Sequence, residues 1–286
     1  MKKILFVLTL TIISVSSLSA QKLENSTLWK ISGNGLKQSS YLFGTIHISC
    51  DATLSNEVRK ALDKTGQLVL EVDMDDPTMQ SKMMSGIMMK DGKTIKDLVS
   101  KEEFIAIDSL FIKNLGMSVN FMQNMKPSLL SAAFYPSLLD CSSQSFESEL
   151  MKVAKKQGEE VKGLETIEDQ MQVFDDIPYE DQVKDLIRSA KDNLAYDRVI
   201  LAKMLKVYRN QNITKMLEMT GDEGSGISDY LDEILYNRNK KWIPKIEVYV
   251  KEKPTFFGVG AGHLAGENGV ILLLRKAGYT VTAVQQ

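Results

Sequence analysis

The chain has only two histidines, and both close the same four-residue pattern. Gly44-Thr45-Ile46-His47 leaves an apolar segment near the start, and Gly260-Ala261-Gly262-His263 leaves another near the end. In an open α/β sheet, ligands bind where strands give way to loops, so each pattern sets an imidazole at such a rim. Glycine is expected to let the backbone turn sharply there and aim the ring into the crevice. A neutral imidazole binds metals, and near neutral pH it also accepts protons. Two imidazoles make an incomplete metal site, which carboxylates must finish. Glu71 follows Leu68-Val69-Leu70, and an unpaired carboxylate ending a buried strand is costly unless a cation or strong donors meet it. Glu165 holds the parallel position after Val161 and Leu164, though an acidic residue there also suits the start of a helix at Thr166. Arg238 follows apolar Ile234 and Leu235 and could stabilise an oxyanion or pair a carboxylate. Its alternative is a surface arginine beside Lys240 and Lys241. This set assigns His47, Glu71 and His263 to a divalent metal, and Glu71, Glu165 and Arg238 to catalysis. Chemistry open to such a set includes general acid–base work and metal-assisted hydrolysis with a glutamate not bound to the metal as base.

The elements that position these residues follow from periodicity. Leu28–Ile31 and Tyr41–Ile46 read as two strands of a hairpin joined through Gly33-Asn34-Gly35. Asn56–Leu62 is a short helix, and Gln67–Val72 a buried strand. Phe104, Ile107, Phe111 and Leu115 share one helical face. Ser148–Lys156 is helical with Gly158 as its stop, and Val161–Leu164 is a strand. One long amphipathic pattern runs from Val183 to Tyr208. After a glycine-rich break at Gly221–Gly226, Ser228 is expected to cap the next helix. Thr255–Val259, Gly269–Ala277 and Tyr279–Val284 close the chain as strand, helix, strand, with Gly278 ending the helix. The fold class is therefore α/β: a central mixed sheet with flanking helices and a largely helical middle insertion or cap, about 78–155 and 175–250. Residues 21–286 form a single domain.

With those residues in place, Tyr41-Leu42-Phe43-Gly44-Thr45-Ile46-His47 resembles the first signature of the TraB/GumN family. Val259-Gly260-Ala261-Gly262-His263-Leu264-Ala265-Gly266, with Gly269-Val270, resembles the second. Gly163-Leu164-Glu165-Thr166 with Gln170, and Arg238-Asn239 with Trp242 and Ile246, add weaker likeness, in family order from Leu28 to Val284. The resemblance implies a fold akin to erythromycin-esterase-like and haem-binding ChaN-like proteins. It also implies kinship with the animal Tiki proteins, membrane-tethered metalloproteases of secreted Wnt ligands. It carries His47, Glu71 and His263 over as the core of the site, supported by Glu165 and Arg238. The implied cofactor is manganese or cobalt, with zinc as a third candidate. The implied partner is a peptide or protein substrate, though the missing tether removes Wnt as an expectation. A non-enzymatic binder of haem, metal or peptide, and a metal-dependent esterase, are the competing readings.

Composition sets the outer limits. The chain has 286 residues, 43% hydrophobic and 25% charged, which is ordinary for a globular protein. Lys2 and Lys3, an apolar run from Ile4 to Val15 and small residues up to Ala20 have the layout of a signal peptide. Cleavage is expected near Ala20, with Ser19 as the alternative, giving an exported, periplasmic or secreted chain. No later stretch is long enough to span a bilayer. Loss of Lys2 and Lys3 would move the net charge from −2 to −4, which argues against nucleic acid as a partner. Cys50 and Cys141 are either one disulfide or two buried thiols. Met74, Met79, Met83, Met84, Met88 and Met89 cluster as core filler or an adaptable lip, with copper(I) binding the alternative. Phosphate loops, dinucleotide fingerprints and Gly-x-Ser-x-Gly elbows are missing from the sequence. Oligomeric state is not encoded in any motif here.

Overall fold

A computed structural model describes residues 23–221 and 226–286. The expected signal segment, 1–20, and most of the glycine-rich break lie outside the described residues. Six strands form one sheet: β1 (Leu28–Gly33), β2 (Ser40–Thr45), β3 (Gln67–Val72), β4 (Glu160–Glu165), β5 (Phe256–Gly260) and β6 (Tyr279–Val284). Their order is β4-β3-β5-β2-β1-β6. β2 pairs parallel with β5, β5 with β3, and β3 with β4. β1 is antiparallel to both β2 and β6. The sheet is therefore mixed, and β4, β3, β5 and β2 all deliver their C-terminal ends to one rim.

Two cores flank the sheet. On one face Trp29, Leu42, Val69, Leu164, Phe257 and Val259 pack against Trp242, Ile246 and Val250 of the helix Asn237–Glu252 and Ile271 and Leu274 of the helix Val270–Lys276. On the other, Phe43, Leu68, Leu70 and Phe256 meet the helices Asn56–Leu62 and Phe146–Gln157. β2 and β3 are buried along their whole length, as their continuous apolar runs require. A third cluster contains no strand residue. In it Ile107, Phe111, Leu130, Phe134, Val183 and Leu186 join the helices Lys101–Leu115, Pro127–Ala132 and Tyr179–Asp192.

Three local expectations are corrected. The amphipathic pattern from Val183 to Tyr208 is two helices, Tyr179–Asp192 and Ala195–Arg209. Asn193 and Leu194 both take positive φ, 54° and 65°, and reverse the chain between them. Ser228 caps no helix but lies inside a short 3-10 turn, Ser228–Tyr230, followed by a π-helical turn, Asp232–Tyr236. The glycines of the two His motifs do not make left-handed turns either, since neither Gly44 nor Gly260 has positive φ. Their reason is room: a Cβ on Gly44 would lie 2.7 Å from Leu264 Cδ1 and 3.1 Å from Ala261 Cα. The two motifs therefore pack directly against each other. Among the described residues no helix is long and apolar enough to cross a membrane.

Candidate active site at the sheet rim

The four adjacent parallel strands bring Glu165, Glu71, His263 and His47 to one edge, and Arg238 reaches in from the helix Asn237–Glu252. Gly260 marks the point of convergence. A Cβ placed there would meet Glu71 Oε1 at 3.3 Å, His263 Cδ2 at 3.6 Å and His47 Nε2 at 3.9 Å. The absent side chain leaves a small cradle that two imidazoles and a carboxylate surround.

His263 is buried, and one helix grips it on three sides. Its Nδ1 lies 2.7 Å from Asn239 Oδ1, Arg238 Nη1 lies 3.2 Å from its Nε2, and Trp242 stacks on it at 4.5 Å between centroids. The Asn239 amide donates to the carbonyls of His263 and Asn268, so its oxygen must face the ring. Nδ1 therefore carries the proton and Nε2 the lone pair. Burial pushes the imidazole down to about 3, so it is neutral at physiological pH.

Glu71 is equally enclosed. Oε1 accepts from the Gly260 N–H at 2.8 Å, and Oε2 accepts from Arg238 Nη2 at 2.7 Å and Gln170 Nε2 at 3.1 Å. Burial alone would raise its carboxyl, but His263, Arg238, His47 and the Gly260 N–H outweigh burial and hold it at about 2. Because His263 is neutral above about 3, Arg238 is the partner that keeps Glu71 ionised at neutral pH. Glu165 accepts from Arg238 Nε at 3.1 Å and Nη2 at 2.6 Å, and from Trp242 Nε1 at 3.0 Å. Both its oxygens are taken, which makes it the anchor of Arg238 rather than a free base. Arg238 itself is no surface arginine. Its remaining N–H donates to Ile234 O at 2.9 Å, within the π-helical turn that leads into its helix.

His47 differs in that its side chain is 71% exposed. Nδ1 lies 2.9 Å from Glu147 Oε1, a residue of the helix Phe146–Gln157 that was not expected at the site. Glu147 also accepts from Thr45 Oγ1 at 2.7 Å and Ser145 Oγ at 2.6 Å. The hydrogen bond to Glu147 raises the His47 imidazole to about 9 against the opposing effect of burial, though solvent around the exposed ring screens much of this. Burial would raise Glu147, and the bonds from His47, Ser145 and Thr45 bring it to about 2. Cys50 and Cys141 form a disulfide, Cα–Cα 5.6 Å, joining the two segments that carry His47 and Glu147.

Whether these residues suit a metal can be tested on the donor set. Two imidazole nitrogens and a carboxylate oxygen are the right types for a divalent cation. Both rings have Nδ1 facing an oxygen and Nε2 on the cradle side, where Gly260 gives room; His263 Nε2 already carries a lone pair, whereas His47, raised by Glu147, must give up its Nε2 proton to ligate. The spacing is looser than coordination needs: His263 Nε2 to Glu71 Oε1 is 3.8 Å. Among the described residues no three acidic, His or Cys side chains already stand as a metal-holding group. An ion would require Arg238 to release His263 Nε2 and Glu71 to close on the ring.

Beside the rim lies a cavity of about 270 Å³, lined by Glu165, Asp73, Met79, Lys82, Glu168 and Lys245 among others. Of the methionine cluster, Met79 lines this cavity, Met89 is buried and Met84 is exposed. Lys240, Lys241 and Lys245 form the exposed face of their helix.

The model of the TraB/PrgY/gumN family matches residues 27–283. The chain belongs to that family. Among curated proteins, it is 20% identical to Metalloprotease TIKI2 of Danio rerio over 92% of its own length and 61% of that protein. It is also 20% identical to Metalloprotease TIKI1 of Homo sapiens, over 90% of its length and 61% of that protein. A 52-residue stretch is 40% identical to Metalloprotease TIKI1 of Danio rerio. The chain thus spans about three-fifths of the relatives it matches at length. No solved structure matches it significantly.

Proposed function

We propose that this protein is an exported hydrolase that depends on a divalent metal and cuts peptide or protein substrates. The observation that carries the reading is the convergence of His47 Nε2, His263 and Glu71 around the bare Gly260. The metalloprotease names of the relatives support the same reading. His47, His263 and Glu71 would hold the ion, manganese or cobalt with zinc as third candidate, and the ion would supply Lewis acidity. Asn239 and Trp242 orient His263. Glu165 holds Arg238 at the rim, where the guanidinium can stabilise negative charge as it develops on a carbonyl oxygen. The Cys50–Cys141 disulfide and the signal-like residues 1–20 support an oxidising, extracytoplasmic compartment.

The test is peptide-library digestion by the purified chain with manganese, cobalt or zinc, and with chelator. Metal-dependent cleavage lost in both His47→Ala and His263→Ala is the expected result. One observation favours a second reading, a non-hydrolytic binder: Arg238 already occupies Glu71 and His263 Nε2. Stoichiometric metal or haem uptake without turnover of peptides or esters would support that alternative.

A further inference from the structure

Glu147 is a buried carboxylate that accepts from Thr45, His47 and Ser145. Ser145 neighbours it in the chain, whereas the other two sit on the first His motif about a hundred residues away. The two segments are joined twice over. Ser49 and Gln144 exchange backbone hydrogen bonds at 3.0 and 2.8 Å, and Cys50 is bridged to Cys141. This double clasp frames the pair of side chains.

The two imidazoles are held by different means. His263 is packed under Trp242 and bonded to Asn239. His47 is mostly in solvent, so packing does not fix its ring, and among the described residues its side chain hydrogen-bonds to Glu147. An exposed side chain with one strong partner takes its orientation from that partner. Oε1, shared by the Thr45 hydroxyl and His47 Nδ1, faces the ring from a fixed direction. The opposite nitrogen, Nε2, is thereby turned to the Gly260 cradle.

We propose that Glu147 is a positioning residue of the site, holding His47 in the Nδ1–H tautomer with Nε2 presented to the cradle; this rests on the reading of the rim as a metal site. A carboxylate behind a ligating imidazole fixes tautomer and ring direction, and its loss typically costs 10–100-fold in metal affinity. Without Glu147 the ring turns freely, and ion binding must order it.

Two measurements on the full chain test this. The first is imidazole ¹⁵N NMR followed through a pH titration to above about 9, where the His47 ring becomes neutral, and assigned with His47→Ala, since the sequence holds only two histidines. Nδ1–H on His47 is expected, and Nε2–H overturns the proposal without any need for Glu147→Ala to fold. The second is cobalt(II) titration, read by visible absorbance, of wild type, Glu147→Ala, His47→Ala and the double variant. Glu147→Ala should bind 10–100-fold more weakly, and on the His47→Ala background it should add nothing. Unchanged affinity, or an equal loss on both backgrounds, overturns the proposal. A wild type that takes up no cobalt sinks the metal reading alone, and the tautomer then decides the role of Glu147.

Discussion

Arg238 ties the rim together, and its removal gives a measurable consequence. All five N–H groups are engaged: Nε with Glu165, Nη2 with Glu165 and Glu71, Nη1 with Ile234 O and His263 Nε2. The Arg238 side chain is only 13% exposed, and the Glu71 and Glu165 side chains are 10% and 6% exposed. Arg238→Ala leaves two buried carboxylates without their cation. Glu71 keeps the Gly260 N–H and Gln170, and Glu165 keeps Trp242 Nε1, so each is half-satisfied. Breaking a buried pair on one side costs about 3–5 kcal/mol. For a domain of this size that is a fall of roughly 6–20 °C in melting temperature. Adding Glu165→Gln to Arg238→Ala should recover part of the loss, because one orphaned charge disappears. Arg238→Lys should fall between, since an ammonium cannot bridge both carboxylates as the planar fork does. Thermal melts followed by circular dichroism, with urea titrations at 25 °C, measure all three. Melting of Arg238→Ala within about 2 °C of wild type, or no recovery with Glu165→Gln, would refute the reasoning.

Three other perturbations have defined outcomes. His263 has a folded value of about 3 against an ordinary 6.5, so the unfolded chain binds the extra proton below about pH 6.5. Stability should therefore drop as pH falls below about 6.5, with a slope approaching about 1.4 kcal/mol per pH unit near pH 5.5, before the Glu71 and Glu147 contributions set in towards pH 4.5. Urea unfolding across that window should show this slope in wild type and lose it in His263→Gln. Reduction of Cys50–Cys141, which closes a 91-residue separation, should cost about 4–5 kcal/mol by loop entropy, or roughly 8–20 °C, in melts with and without reductant. Gly260→Ala puts a methyl 3.3 Å from Glu71 Oε1 without backbone strain. It should melt within a few degrees of wild type while losing manganese binding by calorimetry.

The strands that carry the site could be read from short apolar runs, and their ends from the residues that follow. β3 is an uninterrupted buried run because it lies between β4 and β5, and β1–β2 is the expected hairpin. The insertion of β5 between β3 and β2 was not readable, because strand order depends on contacts nearly two hundred residues apart. It is that order which makes Gly260 the centre of the rim. Glu147 carried no signal: an acid in the first turn of a helix reads as a complement to the helix dipole. Asn239 entered only through the family likeness of Arg238-Asn239; as a neutral amide between Arg238 and Lys240 it gave no chemical signal that it fixes the His263 tautomer. The break at Asn193-Leu194 escaped because the apolar periodicity continues across it, and leucine at φ 65° is rare enough that no composition rule anticipates it. Arg238 was legible as a charge after apolar residues and through the family likeness, but not as a buried one; its burial comes with the ion pairs to Glu165 on β4 and Glu71 on β3.

The most direct measurement is calorimetric titration of manganese(II) into the chelator-stripped chain, run beside peptide digestion on the same sample. One ion per chain, bound in wild type, bound far more weakly in His47→Ala, His263→Ala and Glu71→Gln, and required for cleavage, is the expected result. Peptide cleavage that persists in chelator, or an ion whose affinity ignores all three substitutions, would contradict it.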